Sequence, residues 1–320
     1  MNVFNEDRYM AKLKSERHHW WPECVSRHWA GEDGKTGWLK PDGTTVRIPP
    51  ARLGVIGNGH HIKLGQNNED TSWDQSFERV FDRADSAFPD LIRWLGDLER
   101  RPVRDVPELR QRFIANPCSD ADLTRITECV VSLVVRGPMN REGCITLAEK
   151  IRGPLPTPER NALIGLNMRN SHRLIADSIG AHAKFVVVYS QGKEFVFGDG
   201  FFHNLRNIQN APSSPKCFVP ITPHICVLVC RPSSYMVNPK LTTLVLNDHE
   251  VDICNNTVQV YSKNAIFFRS QQPLLTEAFQ QCQHLMYSDP DNPIDSLIHC
   301  IPGIPSRDTS LDHIFHRYGR

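Results

Sequence analysis

The residues best equipped for chemistry lie in an amino-terminal box, Arg17-His18-His19-Trp20-Trp21-Pro22, followed by Arg27-His28-Trp29. Guanidiniums there can bind phosphate, imidazoles can move protons and indoles can stack on a nucleobase. The same indoles would also serve as the core of a β layer, with the histidines bonded locally. A second group is acidic. Asp74, Glu78, Asp82 and Asp85 fall within about 80 degrees of one another on a helical wheel. Like charges at that spacing repel, so water, cationic partners or a divalent metal must accompany them. A third group is cationic: Arg169, His172 and Arg173 share a helix face, with Asn167 and Asn170 nearby. They can form an anion site or neutralise the carboxylates. Arg136 and Arg141 flank Gly137-Pro138 at a helix end, where either can bind phosphate or cap carbonyls. Finally, Phe197-Gly198-Asp199-Gly200 sets a carboxylate at a strand end between two glycines, which permit a sharp turn and close approach of a ligand or a second backbone.

Several other chemistries lack their motifs. There is no GxxxxGK[ST], no GxGxxG opening a helix, no HExxH and no GxSxG. ATP hydrolysis, dinucleotide binding, zincin proteolysis and the α/β-hydrolase reaction therefore lose ground. The ten cysteines include no CxxC pair, so zinc-ligand spacing is absent and free thiols in a reducing cytoplasm are expected.

The elements that must position these groups belong to a chain of 320 residues and 36.5 kDa, 40% apolar and 23% charged, enough for one large globular domain or two small ones. A net charge of +1 gives no global basic field, so a nucleic-acid partner must be held locally. The longest apolar runs, 225–230 and 241–246, are far short of a membrane span. Met1 to Ser15 has no hydrophobic region, so a signal peptide is not expected and the cytoplasm is the expected address.

Residues 16–65 read as short strands with tight turns, including a hairpin of 38–40 and 44–48 about Pro41-Asp42-Gly43. Ser72-Trp73-Asp74-Gln75 reads as a capping box opening a helix with Trp73, Phe77, Val80, Phe81, Ala84 and Phe88 on its apolar face. Pro89 is expected to start a second segment. Further helices are predicted over 121–136, capped by Ser119 or Asp120 and stopped by Gly137-Pro138, and from Thr157-Pro158 to Gly180. Strands follow: 185–189 and 194–197 as a hairpin, then 225–230, 241–246 and 265–269. Residues 250–262 fit helix or strand, and Pro273 opens a helix to about Met286. The sum is an α+β fold with a small N-terminal β layer, a central helical region and a C-terminal, mostly antiparallel sheet. Residues 1–15 read as a lead segment, 16–288 as one domain with room for a helical lobe over 70–180, and 289–320 as an irregular tail.

His19-Trp20-Trp21-Pro22 and Arg27-His28-Trp29 resemble the His-Tyr-Val-Pro box and following Arg-Asn-Phe of DUF4238, an uncharacterised bacterial family. In the same order, 78–85 resembles its acidic helix, Arg136-Gly137-Pro138 its Arg-Thr-Pro, Phe197-Gly198-Asp199 its strand ending in Ser-Asp-Asn-Pro, and 219–223 its Pro-Leu-Ser-Pro strand. Asn255-Asn256 and 265–270 resemble the closing Asn-containing helix and strand. Gly198, Gly200, Phe201 and Gly137 depart from that pattern. The resemblance implies a topology and candidate residues, and its members often look like stand-alone or defence-linked bacterial proteins, but it brings no reaction.

These observations lead to an expected phosphodiesterase or nuclease of the phage-defence or toxin type. His19 would be general acid or base, Arg27 and Arg136 would hold phosphate, and Glu78 and Asp199 would ligate Mg²⁺ or Mn²⁺ or orient other groups. His18, Trp20, Arg141, Arg169, His172 and Asn256 would contact substrate. The alternative is a non-catalytic sensor or interaction domain for a nucleotide, nucleic acid, phage protein or defence-operon partner, without a membrane. A third reading makes the same residues an internal Arg-carboxylate network.

Overall fold

The strands of the carboxyl-terminal half are nearly uninterrupted Val, Ile, Leu, Phe and Cys, the pattern of strands buried on both faces. In the computed structural model, which describes residues 16–64, 74–180, 182–203, 205, 215–230, 238–282 and 293–303, they form a six-stranded sheet. Its order is Phe202–His203, Lys216–Thr222, Ile225–Cys230, Lys184–Ser190, Leu241–Leu246 and Ile114–Ala115. All neighbours are antiparallel except Lys184–Ser190 with Leu241–Leu246, which run parallel. The α+β class is as expected.

The hairpin expected between 185–189 and 194–197 does not form. Lys184–Ser190 is already flanked on both sides, so it has no free edge for the following strand. Phe197–Gly198 instead pairs with Ile266–Phe268. That strand continues into Thr36–Leu39 and Thr45–Ile48, the hairpin expected from the Pro-Asp-Gly turn. The amino-terminal β layer is thus completed by strands from the other end of the chain, and one buried apolar cluster runs from Trp20 to Ile301.

Gly198 and Gly200 serve this crossing. A Cβ on Gly198 would overlap the Ser262 hydroxyl, and one on Gly200 the Tyr261 carbonyl. The Ser262 side chain occupies the space beside Gly198, and a second backbone, at Tyr261, that beside Gly200. Gly200→Ala is therefore expected to destabilise the chain by about 3 kcal/mol, as overpacking against rigid backbone does, read as a lowered urea midpoint.

The helices show both what local signals specify and what they miss. Ser119 caps Asp120–Arg136 with the reciprocal bonds of a capping box, its hydroxyl accepting from the Asp122 amide at 3.2 Å and its own amide donating to the Asp122 carboxylate at 3.0 Å. Gly137-Pro138 stops this helix but also opens another, Pro138–Arg152, because proline suits a first helical turn. Thr157–Ile179 follows as expected. The ambiguous stretch is the helix Asp248–Val260, fixed by an Asn247 capping box.

The helix expected from Ser72 starts later. Ser72 and Trp73 lie outside the described residues, Gln75–Ser76 is a strand, Glu78–Val80 is a 3₁₀ turn, and the helix is Asp82–Asp97. Pro89 sits inside it rather than starting a new segment. The Asp85 carbonyl, deprived of its helical donor by that proline, accepts from the Cys24 thiol at 3.6 Å. The carboxylate stripe is therefore broken, with Asp74 and Glu78 preceding the helix. Beyond Pro273 the described helix is Glu277–Gln280, and residues 283–286 of the expected helix lie outside the described residues. Within the expected irregular tail, Pro293–Ile298 is a short helix burying Ile294 and Leu297.

Candidate functional site

The strand Arg17–His19 pairs antiparallel with Val55–Gly57. Side chains alternate along a strand, so His18 and His19 face opposite ways, and His18 is the buried one. The chain then turns at Asn58, which adopts the left-handed region at φ +52. Its side-chain oxygen accepts from the Glu16 amide at 3.0 Å, and its own amide donates to the Glu16 carbonyl at 2.9 Å. This turn delivers His60 and His61 beside His18. His61–Ile62 pairs with Gln75–Ser76, which brings Glu78 in on the next turn.

Three imidazoles and two carboxylates meet there. His18 Nε2 lies 3.2 Å from Glu16 Oε2 and 3.8 Å from Glu78 Oε2. His61 Nε2 donates to Glu16 Oε2 at 3.0 Å, and His60 Nδ1 donates to Glu78 Oε2. The His60 backbone N–H donates to His18 Nδ1 at 3.2 Å. All three rings are buried, whereas the Glu16 and Glu78 side chains are 51% and 38% exposed, so the cluster meets solvent through its acids. Phe77 and Phe81 pack against His60, with ring centroids at 5.6 and 5.0 Å.

Burial sets the protonation states. It pushes His60 down to about 4 in spite of the Glu78 carboxylate, and it lowers His18 as well. The hydrogen bond from His61 holds Glu16 below the ordinary carboxylate range. Burial raises Glu78, but the bond from His60 and the nearby imidazoles outweigh it and leave the net shift downward. At neutral pH the centre holds neutral His18 and His60 beside ionised acids. No protein-family model, curated protein or solved structure matches this chain.

Among the described residues, two sets can share a cation: Glu16, His18 and His61, and His18, His60 and Glu78. Glu78 and His18 are the sequence candidates brought together. Asp199, expected as the second metal ligand, belongs to neither set. Its buried carboxylate accepts from the Lys263 amide at 2.8 Å, the Asn264 amide at 3.0 Å and the Asn264 side chain at 3.2 Å, fixing a turn. His19 Nδ1 donates to the Leu53 carbonyl at 3.2 Å on the other side of its strand. Arg27 is exposed and pairs with Glu23 on its own turn at 2.9 Å.

Arg136 is fully buried, forked onto Asp85 at 3.0 and 2.6 Å and stacked on Phe81 with its guanidinium 4.6 Å from the ring centroid. Trp20 packs in the aromatic core with Trp21, Phe197 and Phe267. His172 donates to the Glu128 carbonyl at 3.4 Å and sets its ring edge-on to Phe81. Arg169 bonds Asn170 at 3.4 Å, and Asn256 is an exposed residue of the 248–260 helix. Arg141 reaches the cluster indirectly, donating to the Gly59 carbonyl at 2.9 Å. Sequence reasoning missed Glu16, His60 and His61. Their available signal was a histidine pair directly behind Gly57-Asn58-Gly59, a turn able to deliver both rings at once.

Asp199 gives a test that separates structure from chemistry. An amide in its place turns one acceptor into a donor facing N–H groups, so Asp199→Asn should cost about 1–3 kcal/mol and leave cation binding unchanged. Burial raises the Asp199 pKa above its ordinary 3.8. Its contribution to stability is then fully present below the unfolded value and lost as pH rises through the folded one. The variant should lack that component in urea titrations across the acid range.

Proposed function

We propose that the chain is a divalent-metal-dependent hydrolase of phosphodiester bonds in nucleic acid or a nucleotide, centred on Glu16, His18, His60, His61 and Glu78. One observation carries this reading: the buried imidazoles of His18 and His61 stand beside solvent-facing carboxylates at ligand-to-ligand distances of 3.0 to 3.8 Å, and His60 contacts Glu78 directly. A tetrahedral ion with bonds of about 2.0–2.1 Å has edges of about 3.4 Å. Imidazole donors favour Mn²⁺ or Zn²⁺ over Mg²⁺. At His18 ligation carries a cost, because Nδ1 already accepts the His60 amide and binding through Nε2 would move the ring proton onto Nδ1. Losing that hydrogen bond costs about 1–3 kcal/mol, small beside the 10 kcal/mol or more that a structural zinc site returns.

A bound ion would polarise a phosphoryl oxygen and acidify water. The chain itself supplies Glu78, which reaches solvent and can take a proton, with His60 hydrogen-bonded behind it. Likeness to DUF4238 is part of the proposal; of its boxes, those at 19–22 and 78–85 adjoin the cluster, while those at 197–199, 219–223, 255–256 and 265–270 lie in other elements. A cytoplasmic defence or toxin role is likewise proposed. Among the described residues no helix is long and apolar enough to cross a membrane.

The reading is tested by incubating the full chain with RNA, single-stranded DNA and duplex DNA in Mn²⁺, Zn²⁺, Mg²⁺ or chelator. Cleavage that chelator abolishes and Mn²⁺ or Zn²⁺ restores is expected. Binding without turnover would favour the sensor reading, whereas the structural commitments of Arg136 and Asp199 fit the internal network for those two residues. A saturating ion should also raise the melting temperature, by about 2.7 kcal/mol of stability at one hundred times its Kd, and chelator should reverse the shift.

A further inference from the structure

We propose that the cavity beside the cluster is a phosphate subsite that takes the terminal phosphomonoester of a single nucleotide unit, with Arg141 as its anion-binding residue. This deepens the hydrolase reading and rests on it for the adjacency of the two sites.

The cavity holds about 280 Å³ and is lined by Gly57, Asn58, His61, Lys63, Arg141 and Asn161, among others. Ligand pockets begin at about 300 Å³, so this one suits a nucleotide unit rather than a duplex. Its described lining is basic and amide-bearing, with no carboxylate. Arg141 donates to the Gly59 carbonyl at 2.9 Å and to the Met168 sulfur at 3.6 Å, and among the described residues it makes no ion pair. It differs in this from Arg136 and Arg112, whose guanidiniums are forked onto Asp85 and Glu250. A half-buried guanidinium that, among the described residues, lacks a counterion is a ready partner for an oxyanion, which it can bind with two parallel N–H bonds. His61 lines the cavity and also donates to Glu16, so an anion seated there would adjoin the cluster.

The test is calorimetric titration of the full chain, in chelator, with inorganic phosphate, AMP, adenosine and a short oligonucleotide with or without a 5′-phosphate. Phosphate and AMP are expected to bind and adenosine not to bind. Equal binding of AMP and the phosphorylated oligonucleotide would point to chain ends as the source, and AMP alone to free nucleotide. Arg141→Gln should weaken AMP binding by at least about tenfold, the scale of a charged hydrogen bond. Asn161→Asp, an exposed change that sets a carboxylate at the mouth, should weaken it severalfold without risk to the fold. Arg93→Gln, an exposed arginine of the 82–97 helix, should have no effect.

Failure of the unmodified chain to bind phosphate, equal affinity for adenosine and AMP, or undiminished AMP affinity in both cavity variants would overturn the subsite. Zinc titration of the same protein after the chelator has been removed keeps the two readings apart. Zinc binding without phosphate binding removes the subsite alone, and phosphate binding without zinc binding removes the metal centre alone.

Discussion

Glu78→Gln is expected to lower Zn²⁺ or Mn²⁺ affinity by at least about 100-fold and to reduce phosphodiester cleavage to background, while the metal-free melting curve stays within about 1 kcal/mol of the unaltered protein. The carboxylate is the acid that meets both His60 and His18, and its side chain is 38% exposed, so the amide loses a ligand without opening a cavity. Glu16→Gln should show a weaker form of the same effect, because Glu16 contacts His18 and His61 from the more exposed side. Calorimetric titration with the ion and chemical denaturation of the metal-free chain measure the two halves separately. Equal loss of folding and of ion binding in Glu78→Gln would mean that the cluster is a structural network.

The second large effect concerns Arg136. Asp85→Ala should destabilise the chain by about 3 kcal/mol, because it leaves a fully buried guanidinium with only the Ser132 and His19 oxygens as partners. Replacing both partners, Asp85→Leu with Arg136→Met, should recover most of that loss, since a buried pair gains little over well-packed apolar side chains. Urea midpoints of the two single variants and the double variant give the coupling. If Arg136 instead held substrate phosphate, Arg136→Met alone would impair cleavage far more than stability.

What the sequence disclosed follows from the range of the forces involved. The Ser119 and Asn247 caps are bonds made within three residues, and the apolar runs of the large sheet reflect burial on both faces. Such features are local. The cap of the 120–136 helix could be narrowed to Ser119 or Asp120, whereas the Asn247 helix stayed ambiguous because its apolar period also fits a strand. Pairing is not local. Nothing near Phe197 states that Lys184–Ser190 already has two neighbours, so a hairpin was the natural expectation and a crossing to Ile266–Phe268 the outcome. Phe77 and Phe81 keep helical spacing through a 3₁₀ turn, which hid the true start of their helix.

At the site, composition identified Glu78 and His18 as chemical residues but not their partners. Arg136 was legible as a cation at a helix end, yet its full occupation by Asp85 depends on packing between two helices. Asp199 was legible at a strand end between two glycines, but not that the turn after Tyr261, packed against Gly200, would bury its carboxylate and take it with the Lys263 and Asn264 amides. His60 and His61 went unnoticed because an Asn-centred turn reads as punctuation, although here the turn aims two rings at a third.

X-ray absorption at the zinc edge, on the chelator-treated full chain reloaded with one equivalent of Zn²⁺, tests the metal centre most directly. Expected are nitrogen and oxygen ligands at about 2.0–2.1 Å with imidazole scattering, lost in Glu78→Gln. Sulfur ligands at about 2.3 Å, drawn from the ten free cysteines, or no stoichiometric binding at all, would contradict it.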